Sequence, residues 1–249
     1  MNEYLSGFLL GLVQGLTEFL PVSSSGHLAL LERLGVGWES VGVNLALHVA
    51  TLLVVVVTFR KDIIRLASHP TSTVSRFLLL ATVPTAICAG LIRYLLPDTT
   101  DFLPTAFMLT SVLLVLPAAV GTKRIDYLDK KWWKRALIVG LFQGAACING
   151  VSRSGATVTA GRLVGMGEDA GRNSFLLSIP IIVGSAVVEG LSGGFGTVPV
   201  GGLIVGTLTA FFVGLFAIKA CLILIKKNKF FYFSIYTFLL SIASFFLLF

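Results

Sequence analysis

The apolar and polar residues of this chain lie in long blocks rather than in the short periods of a soluble fold. Six apolar runs are each close to the ~20 residues that a helix needs to cross a bilayer. They cover residues 42–59, 77–96, 105–121, 173–190, 201–225 and 230–249. The pattern predicts an all-α integral membrane protein with six transmembrane helices, forming one membrane domain over residues 1–249.

Two further apolar segments, 4–34 and 136–165, are interrupted near their middle by polar residues. In the first, Pro21 and Gly26 bracket three serines, so the backbone must leave helical geometry there. Neither half of these segments is long enough to cross alone. Broken backbone at membrane depth has to be covered by protein or by a wet cavity. We therefore predict two re-entrant helical hairpins.

The basic residues orient the predicted spans. They concentrate in the loops 60–76, 122–135 and 226–229, whereas 97–104 carries only acidic charges and 191–200 is uncharged. Because cytoplasmic loops are enriched in Lys and Arg, the first three loops are predicted to be cytoplasmic and the other two external. This order places both termini outside, with the first hairpin entering from outside and the second from the cytoplasm.

The two interrupted segments are related by an internal duplication. With a shift of 129, residues 11–47 share 14 identities over 37 positions with residues 140–176, including a Ser-x-Ser-Gly turn in each. Each half holds one hairpin and three spans, and three is an odd number, so the second half is inserted upside down. The prediction is an inverted-topology repeat of about residues 1–121 and 122–249.

Composition excludes several other classes of protein. The chain is 55% hydrophobic and 12% charged, with a mean hydropathy of +0.92, far from the ~25% charged residues of soluble domains. The net charge of +7 comes from short loops, so we expect a membrane and no nucleic acid as partner. The three cysteines show no paired spacing, and Glu3 with no basic region argues against a cleaved signal peptide.

The candidate chemistry lies where the duplicated turns differ. Aligned pairs that are not shared are Glu18 with Cys147, Ser24 with Arg153, and His27 with Ala156. The first turn thus has an acid, a hydroxyl and an imidazole, and the second a guanidinium. Ser-Gly turns before a helix present N–H groups to anions, and the planar fork of Arg matches phosphate or carboxylate oxygens. We expect such an anion as ligand.

Structural roles compete with these interpretations. Ser23 and Ser25 persist in the repeat as Ser152 and Ser154, which favours capping or turn-building for them. His27 as a core histidine, Glu18 as a cap partner and Arg153 reaching for the cytoplasmic face are the corresponding structural alternatives. A carboxylate inside a membrane segment is costly, however, which favours a functional role for Glu18.

The run Gln14–His27, QGLTEFLPVSSSGH, with Gly150–Thr157, GVSRSGAT, resembles the undecaprenyl-diphosphate phosphatase family of the bacitracin-resistance type. The resemblance implies a multi-pass enzyme of the bacterial plasma (inner) membrane. It implies hydrolysis of undecaprenyl diphosphate to undecaprenyl phosphate and phosphate, recycling the lipid carrier of cell-wall synthesis. It also implies a site lined by Gln14, Glu18, Ser24, His27 and Arg153, which on the topology above opens to the external, periplasmic side. Two positions depart from the family pattern: Gln14 stands where Glu is common, and Asn149 where Pro is common.

From these residues we expect Ser24 to attack the terminal phosphorus with His27 as general base, and Glu18 to orient His27 or activate water. Arg153 holds the phosphate oxygens, and direct attack by water is the weaker variant. The expected substrate-binding residues are Gln14, Ser23, Ser25, Gly150, Ser152 and Ser154. The sequence shows no dedicated metal cluster. The resemblance allows a divalent cation, Mg²⁺ or Ca²⁺, on the diphosphate with Glu18 as its one nearby carboxylate.

Two other classes of membrane protein share part of this pattern. A type-2 phosphatidic acid phosphatase needs a second His after its Ser-Arg, and this chain has none beyond His69. A transporter or lipid flippase fits inverted hairpins, but a carrier has no need of a nucleophile and base. Asn44 and its repeat partner Asn173 are expected to hydrogen-bond the hairpins, and His48 is expected to be structural rather than catalytic.

Overall fold

The computed structural model describes residues 2–38, 40–96, 98–191 and 198–248, and within these ranges it contains helices and no strand. The helices are α1 (Glu3–Thr17), α2 (Ser24–Arg33), α3 (Val41–Thr58), α4 (Arg60–Ser68), α5 (Thr73–Leu95), α6 (Leu103–Val120), α7 (Trp132–Ala145), α8 (Arg153–Leu163), α9 (Asp169–Leu191), α10 (Val200–Lys226) and α11 (Phe233–Leu248). Six of them, α3, α5, α6, α9, α10 and α11, are long and apolar enough to cross a membrane, α6 and α11 together with the 3₁₀ turns before them. The predicted all-α fold with six spans is confirmed.

Both interrupted segments are helix pairs broken where the sequence indicated. The first runs as α1 to Thr17, leaves helical geometry through Pro21, and restarts with α2. Ser23, just before α2, has φ of 70°, which a non-glycine residue rarely adopts. In the second, the turn between α7 and α8 contains Gly150 with φ of 95°. The re-entrant insertion of both pairs and their inverted topology remain predictions.

Small residues bring the first helix of each pair against a long helix of the other half. Gly7, Gly11 and Gly15 of α1 recur every four residues, and their backbones lie directly against Gly202, Gly206 and Ala210 of α10. In the second half, Gly140 and Gly144 of α7 lie against Ala81, Pro84 and Cys88 of α5. Close backbone approach through small residues is the usual way in which membrane helices pack.

A matched pair of arginines ties the end of each broken segment to a loop of its own half. Arg33, at the end of α2, donates to Thr100 Oγ1 at 3.3 Å, just before α6. Arg162, its partner in the duplication, donates from α8 to Asn228 Oδ1 at 2.8 Å, just before α11. Equivalent residues of the two halves therefore make equivalent contacts, each within its own half.

One predicted loop is partly helical. Within 60–76, the residues of α4 form an amphipathic helix, with Ile63 and Leu66 packed on the core and the basic residues Arg60, Lys61 and Arg65 exposed. Its nine residues are too few and too charged for the hydropathy pattern to reveal it.

The tips of the two broken segments meet in the interior. Ser154 Oγ donates to the carbonyl of Leu20 at 3.1 Å, across 134 positions of sequence. Gly26 lies so close to Gly150 and Phe107 that a Cβ there would be within 3 Å of both. This contact places the two turns, and their unshared residues, side by side.

Candidate active site

The buried carboxylate of Glu18 is the centre of the site. Its Oε2 accepts hydrogen bonds from Ser24 Oγ at 2.5 Å and from Gln14 Nε2 at 3.1 Å. Its Oε1 is paired with the guanidinium of Arg153. The acid of the first turn is thus in direct contact with the hydroxyl of the same turn and with the guanidinium of the second turn, so the structure brings these three predicted site residues together.

Two helix N-termini converge on this carboxylate. Ser24 is the first residue of α2, whose N-cap Ser23 accepts from the Gly26 N–H at 3.4 Å. Arg153 is the first residue of α8, whose N-cap Ser152 accepts from the Gly155 N–H at 3.1 Å. Because helix N-termini carry partial positive charge, both ends favour an anion at the point where they meet.

The predicted binding serines divide into two groups. Ser23, Ser25 and Ser152 lie on the wall of a cavity beside Glu18. Ser154 lies outside that wall, bound to Leu20 as described above. Gly150 is also off the wall, where its carbonyl accepts from Thr110 Oγ1 at 2.9 Å. The geometry therefore gives Gly150 and Ser154 the role of joining the turns.

The cavity has a volume of about 460 Å³ and reaches from Glu18 to one end of the helix bundle. Its inner wall carries Ser24 and Arg153, and its outer part carries Arg93, Thr100 and Glu189. Those outer residues adjoin the loops 97–104 and 191–200, both predicted to be external. A second, water-sized void of about 10 Å³ lies next to Glu18 and Arg153, lined also by Thr51, Ser174 and Ser178.

His27 is in the site's turn but does not contact Ser24. Its Nδ1 bonds to the carbonyl of Ser23 at 2.6 Å, and its Nε2 to the hydroxyl of Tyr236 at 2.7 Å. Its ring stacks on that of Tyr236 in α11, with 5.7 Å between centroids. Both ring nitrogens are therefore occupied away from the cavity. The predicted pairing of His27 with Ser24 is wrong in this structure, because Ser24 is bound to Glu18 instead.

Gln14, predicted to bind substrate, contacts Glu18, and its Nε2 also lies 3.3 Å from Thr51 Oγ1. Asn44 donates to Glu32 of α2 at 3.3 Å, so its predicted bond to the first hairpin is confirmed. Asn173 instead donates to Tyr127 at 3.0 Å, outside the second hairpin, and that prediction is wrong.

His48 is the residue of the site that the sequence did not place there. It lines the cavity, and its Nε2 lies 3.7 Å from Glu18 Oε2. Because His48 and Glu18 are far apart in the sequence, the sequence alone does not predict this contact. A signal was present, since the duplication pairs His48 with Leu177, a difference of the same kind as Ser24 and Arg153.

The carboxylate of Glu18 does not suit a divalent cation in this arrangement. Both oxygens accept hydrogen bonds and one faces a guanidinium, so a cation there would have to displace Arg153. Across the described ranges, no three His, Cys, Asp or Glu side chains form a metal-binding group.

Sequence comparisons match nearly the whole chain to known proteins. A family model described as "Bacitracin resistance protein BacA" matches residues 7–243. A protein of Rubrobacter xylanophilus named undecaprenyl-diphosphatase is 39% identical over 271 residues, covering 97% of each chain. A protein of Alkaliphilus metalliredigens with the same name is 37% identical over 256 residues, covering 92% of this chain and 93% of that one. A third, from Korarchaeum cryptofilum, is 35% identical over 97% of this chain and 98% of its own.

Proposed function

The chain belongs to the bacitracin resistance protein BacA family, and we propose that it hydrolyses undecaprenyl diphosphate to undecaprenyl phosphate and phosphate. It is a multi-pass membrane phosphatase that returns the lipid carrier to cell-wall (peptidoglycan) synthesis. Support for this function comes from family membership together with a buried site that suits a diphosphate.

One contact carries the mechanism: the hydroxyl of Ser24 donates to the carboxylate of Glu18 at 2.5 Å. A serine is a weak nucleophile until an adjacent base takes its proton. Glu18 has the geometry of that base, which the sequence had assigned to His27. A transport protein for lipids does not need a nucleophile paired with a base, so this contact favours hydrolysis over transport.

The reaction then proceeds in two steps. In the first, Ser24 Oγ attacks the terminal phosphorus, its proton passes to Glu18, and the bond to undecaprenyl phosphate breaks. Before the second step Glu18 gives up the proton of Ser24 to water of the cavity. Water then attacks the phosphoserine, Glu18 takes one proton of that water, and Ser24 Oγ leaves and receives this proton from Glu18. The water oxygen ends on the released phosphate. In-line positioning and charge stabilisation supply most of the catalysis in phosphoryl transfer.

Arg153 is the residue of this site that recognises the negative charge of the phosphate groups. Its guanidinium is held by Glu18 at the inner wall of the cavity. Phosphate oxygens entering the cavity compete for the same guanidinium and for the N-termini of α2 and α8. Their arrival frees Glu18 to act on Ser24, so binding of the anion and activation of the nucleophile are coupled.

His27 acts as a positioning residue in this scheme. Its bond to the Ser23 carbonyl holds the left-handed backbone at the start of α2, one residue before the nucleophile. Tyr236 in turn fixes the ring from α11. Since the attack on phosphorus needs Ser24 within a narrow range of angles, holding its backbone contributes to the rate.

The enzyme acts at the outer face of the bacterial plasma membrane. The cavity mouth carries Thr100 and Glu189, next to two loops that lack basic residues. A mouth on that side admits a diphosphate headgroup from the external leaflet while the polyprenyl chain stays in the bilayer. No step of the scheme is routed through a metal ion.

The test is phosphate release from undecaprenyl diphosphate by the purified full-length protein in detergent. Undecaprenyl monophosphate serves as the matched substrate control, since it lacks the anhydride bond. Release from the diphosphate and not from the monophosphate is the expected result. A folded preparation that releases no phosphate from the diphosphate would overturn the assignment.

A further inference from the structure

The imidazole of His48 has a fixed tautomer. Its Nδ1 lies 2.8 Å from the carbonyl of Asn44, and a carbonyl oxygen only accepts, so Nδ1 carries the hydrogen. The lone pair of the neutral ring is therefore on Nε2, which faces Glu18 Oε2 at 3.7 Å. Catalytic hydrogen bonds are often long in substrate-free structures and shorten when the ligand is bound. The ring is held as a proton acceptor directed at Glu18.

Glu18 needs such an acceptor because the reaction releases a proton inside the protein. In the first step Glu18 receives the proton of Ser24. In the second it takes a proton from water and returns that proton to Ser24 Oγ. Because a protonated carboxyl cannot accept a proton from water, the proton of the first step has to leave Glu18 before the second step. Glu18 is only 7% exposed and surrounded by Gln14, Ser24 and Arg153. The side chain of His48 is 27% exposed and lies on the cavity wall.

We infer that His48 carries this proton from Glu18 to the water of the cavity. The inference rests on the proposed hydrolysis and adds to it a residue that acts through Glu18. The O–H bond of Glu18 breaks as the Nε2–H bond of His48 forms, and the imidazolium then releases the proton to cavity water. The neutral ring is restored for the next turnover, and no oxidant, metal or second substrate is needed.

The duplication supports a role in chemistry rather than packing. Asn44 is shared with the second half as Asn173, as expected for a residue that holds helices together. His48 is replaced there by Leu177, which is 1% exposed in the apolar core. The imidazole is thus present only in the half that supplies the carboxylate and the nucleophile. Packing alone is satisfied by leucine at the equivalent place.

The surroundings of His48 determine how its protonation affects the site. On α10, which also packs against α3, the charged side chains Lys219 and Lys226 lie toward the far end from His48. A protonated His48 is attracted to Glu18 and competes with Ser24 for its oxygen. The charged groups that face His48 or share its cavity are Glu18 before α2, Glu32 on α2, Arg93 on α5, Arg153 on α8 and Glu189 on α9. Turnover should therefore fall as the pH drops through the titration of His48.

The experiment compares pH–rate profiles of phosphate release by purified wild-type protein and His48→Gln with undecaprenyl diphosphate in detergent. Glutamine keeps a polar side chain of similar size but does not accept or release a proton near neutral pH. We expect kcat to fall by about tenfold or more with little change in KM, since a positioned proton-transfer group typically contributes about 10²–10⁴-fold to the rate. The rising limb of the wild-type pH–rate profile, on which turnover increases as His48 loses its proton, should be absent in this variant.

Two further variants separate proton transfer from structure. His69→Gln is the matched control, because His69 makes the same bond to a carbonyl four residues earlier, to Arg65, but is exposed and outside the cavity. Its profile should equal that of the wild type. In His48→Ala, added imidazole should restore turnover, whereas a structural loss would not respond to it.

The outcomes are distinguishable. An active wild type with an unchanged pH profile and turnover in His48→Gln refutes the inference and leaves the proposed function standing. A loss in His48→Gln that keeps the wild-type limb, with no imidazole effect in His48→Ala, shows a structural role and also refutes it. Absence of phosphate release by the wild type refutes the proposed function itself, and the inference with it.

Discussion

The hydroxyl of Ser24 and the carboxylate of Glu18 are joined by a hydrogen bond of 2.5 Å across the break between α1 and α2. The two residues are six positions apart, too far for one continuous helix to bring them together. The turn through Pro21 and the left-handed backbone at Ser23 make the contact. The interruption of the helix therefore builds the nucleophile and base pair.

Removing the nucleophile should abolish turnover but not binding. In Ser24→Ala we expect kcat to fall by about 10³-fold or more, because the covalent route is closed. Substrate affinity should stay close to that of the wild type, since Arg153 and the helix N-termini remain. Phosphate release and lipid-diphosphate binding in detergent measure the two effects.

Ser25→Ala is the matched control for that variant. Ser25 lies on the same cavity wall, but it is bonded to Ser23 rather than to Glu18. A phosphoenzyme trapped with labelled substrate should therefore persist in Ser25→Ala and vanish in Ser24→Ala. Near-normal turnover in Ser24→Ala would remove Ser24 as nucleophile and favour direct attack by water with Glu18 as base.

The guanidinium of Arg153 should not be replaceable by an ammonium. Arg153→Lys keeps the charge but loses the planar fork that contacts Glu18 and phosphate oxygens. Loss of one donor to transition-state charge costs about 2.7–4 kcal/mol, so kcat/KM should fall by about 10²–10³. Binding should weaken as well, which distinguishes this variant from Ser24→Ala. Normal kinetics in folded Arg153→Lys would show that a point charge suffices.

The positions of the spans and the breaks could be predicted because they depend on local signals. Length and hydropathy define the six spans, and Pro21 and the serines mark the first break. The packing of α1 on α10 was missed, although the four-residue spacing of Gly7, Gly11 and Gly15 was in the sequence.

The orientation of His27 and the approach of His48 could not be predicted, because both depend on distant helices. The partner of His27 is Tyr236, 209 positions away, and nothing near His27 indicates it. Spacing alone suggested that His27, three residues after Ser24, was the base. The preference of His27 for the Ser23 carbonyl and the Tyr236 hydroxyl turned the ring away from Ser24.

The contact between Tyr236 and His27 allows a test of whether His27 positions the start of α2 or acts as the general base. If His27 positions the start of α2, Tyr236→Phe removes one hydrogen bond worth about 1 kcal/mol, so turnover should fall by no more than about tenfold. His27→Ala should be more damaging, because it also removes the bond to Ser23. If His27 were instead the general base, freeing its Nε2 in Tyr236→Phe should raise turnover. Turnover of both variants, checked for folding, decides between the roles.

The serines of the second turn should contribute to stability more than to chemistry. Ser152 caps α8, and Ser154 joins the turn to Leu20. Ser152→Ala should lower the free energy of unfolding by about 1 kcal/mol, as for other N-caps. Ser154→Ala should lower it by a similar ~1 kcal/mol through the lost bond between the turns.

Thermal unfolding in detergent and turnover at a temperature well below unfolding check both variants. Thr207→Ala is the control, since its hydroxyl bonds only within α10. A loss of activity in either serine variant as large as that in Ser24→Ala would place the hydroxyl in the chemistry and contradict the structural role.

The orientation in the membrane is the last prediction. Thr71, exposed beside α5, lies in a loop predicted to be cytoplasmic, and Asp101, exposed before α6, in a loop predicted to be external. In a background with Cys88, Cys147 and Cys221 replaced by alanine, an impermeant thiol reagent should label Asp101→Cys in intact cells and leave Thr71→Cys unlabelled. Replacing Cys147 is essential because it lines the cavity and would itself react from outside.

Permeabilised cells provide the control, since both cysteines should then be labelled. The orientation also decides which leaflet supplies the substrate, because the cavity mouth at Thr100 lies next to Asp101. Labelling of Thr71→Cys but not of Asp101→Cys in intact cells would place the mouth in the cytoplasm. The charge argument would then fail, and the enzyme would have to act on diphosphate lipid in the inner leaflet. The geometry of Glu18 and Ser24 would be unaffected, so their variants would still test the chemistry independently of the topology.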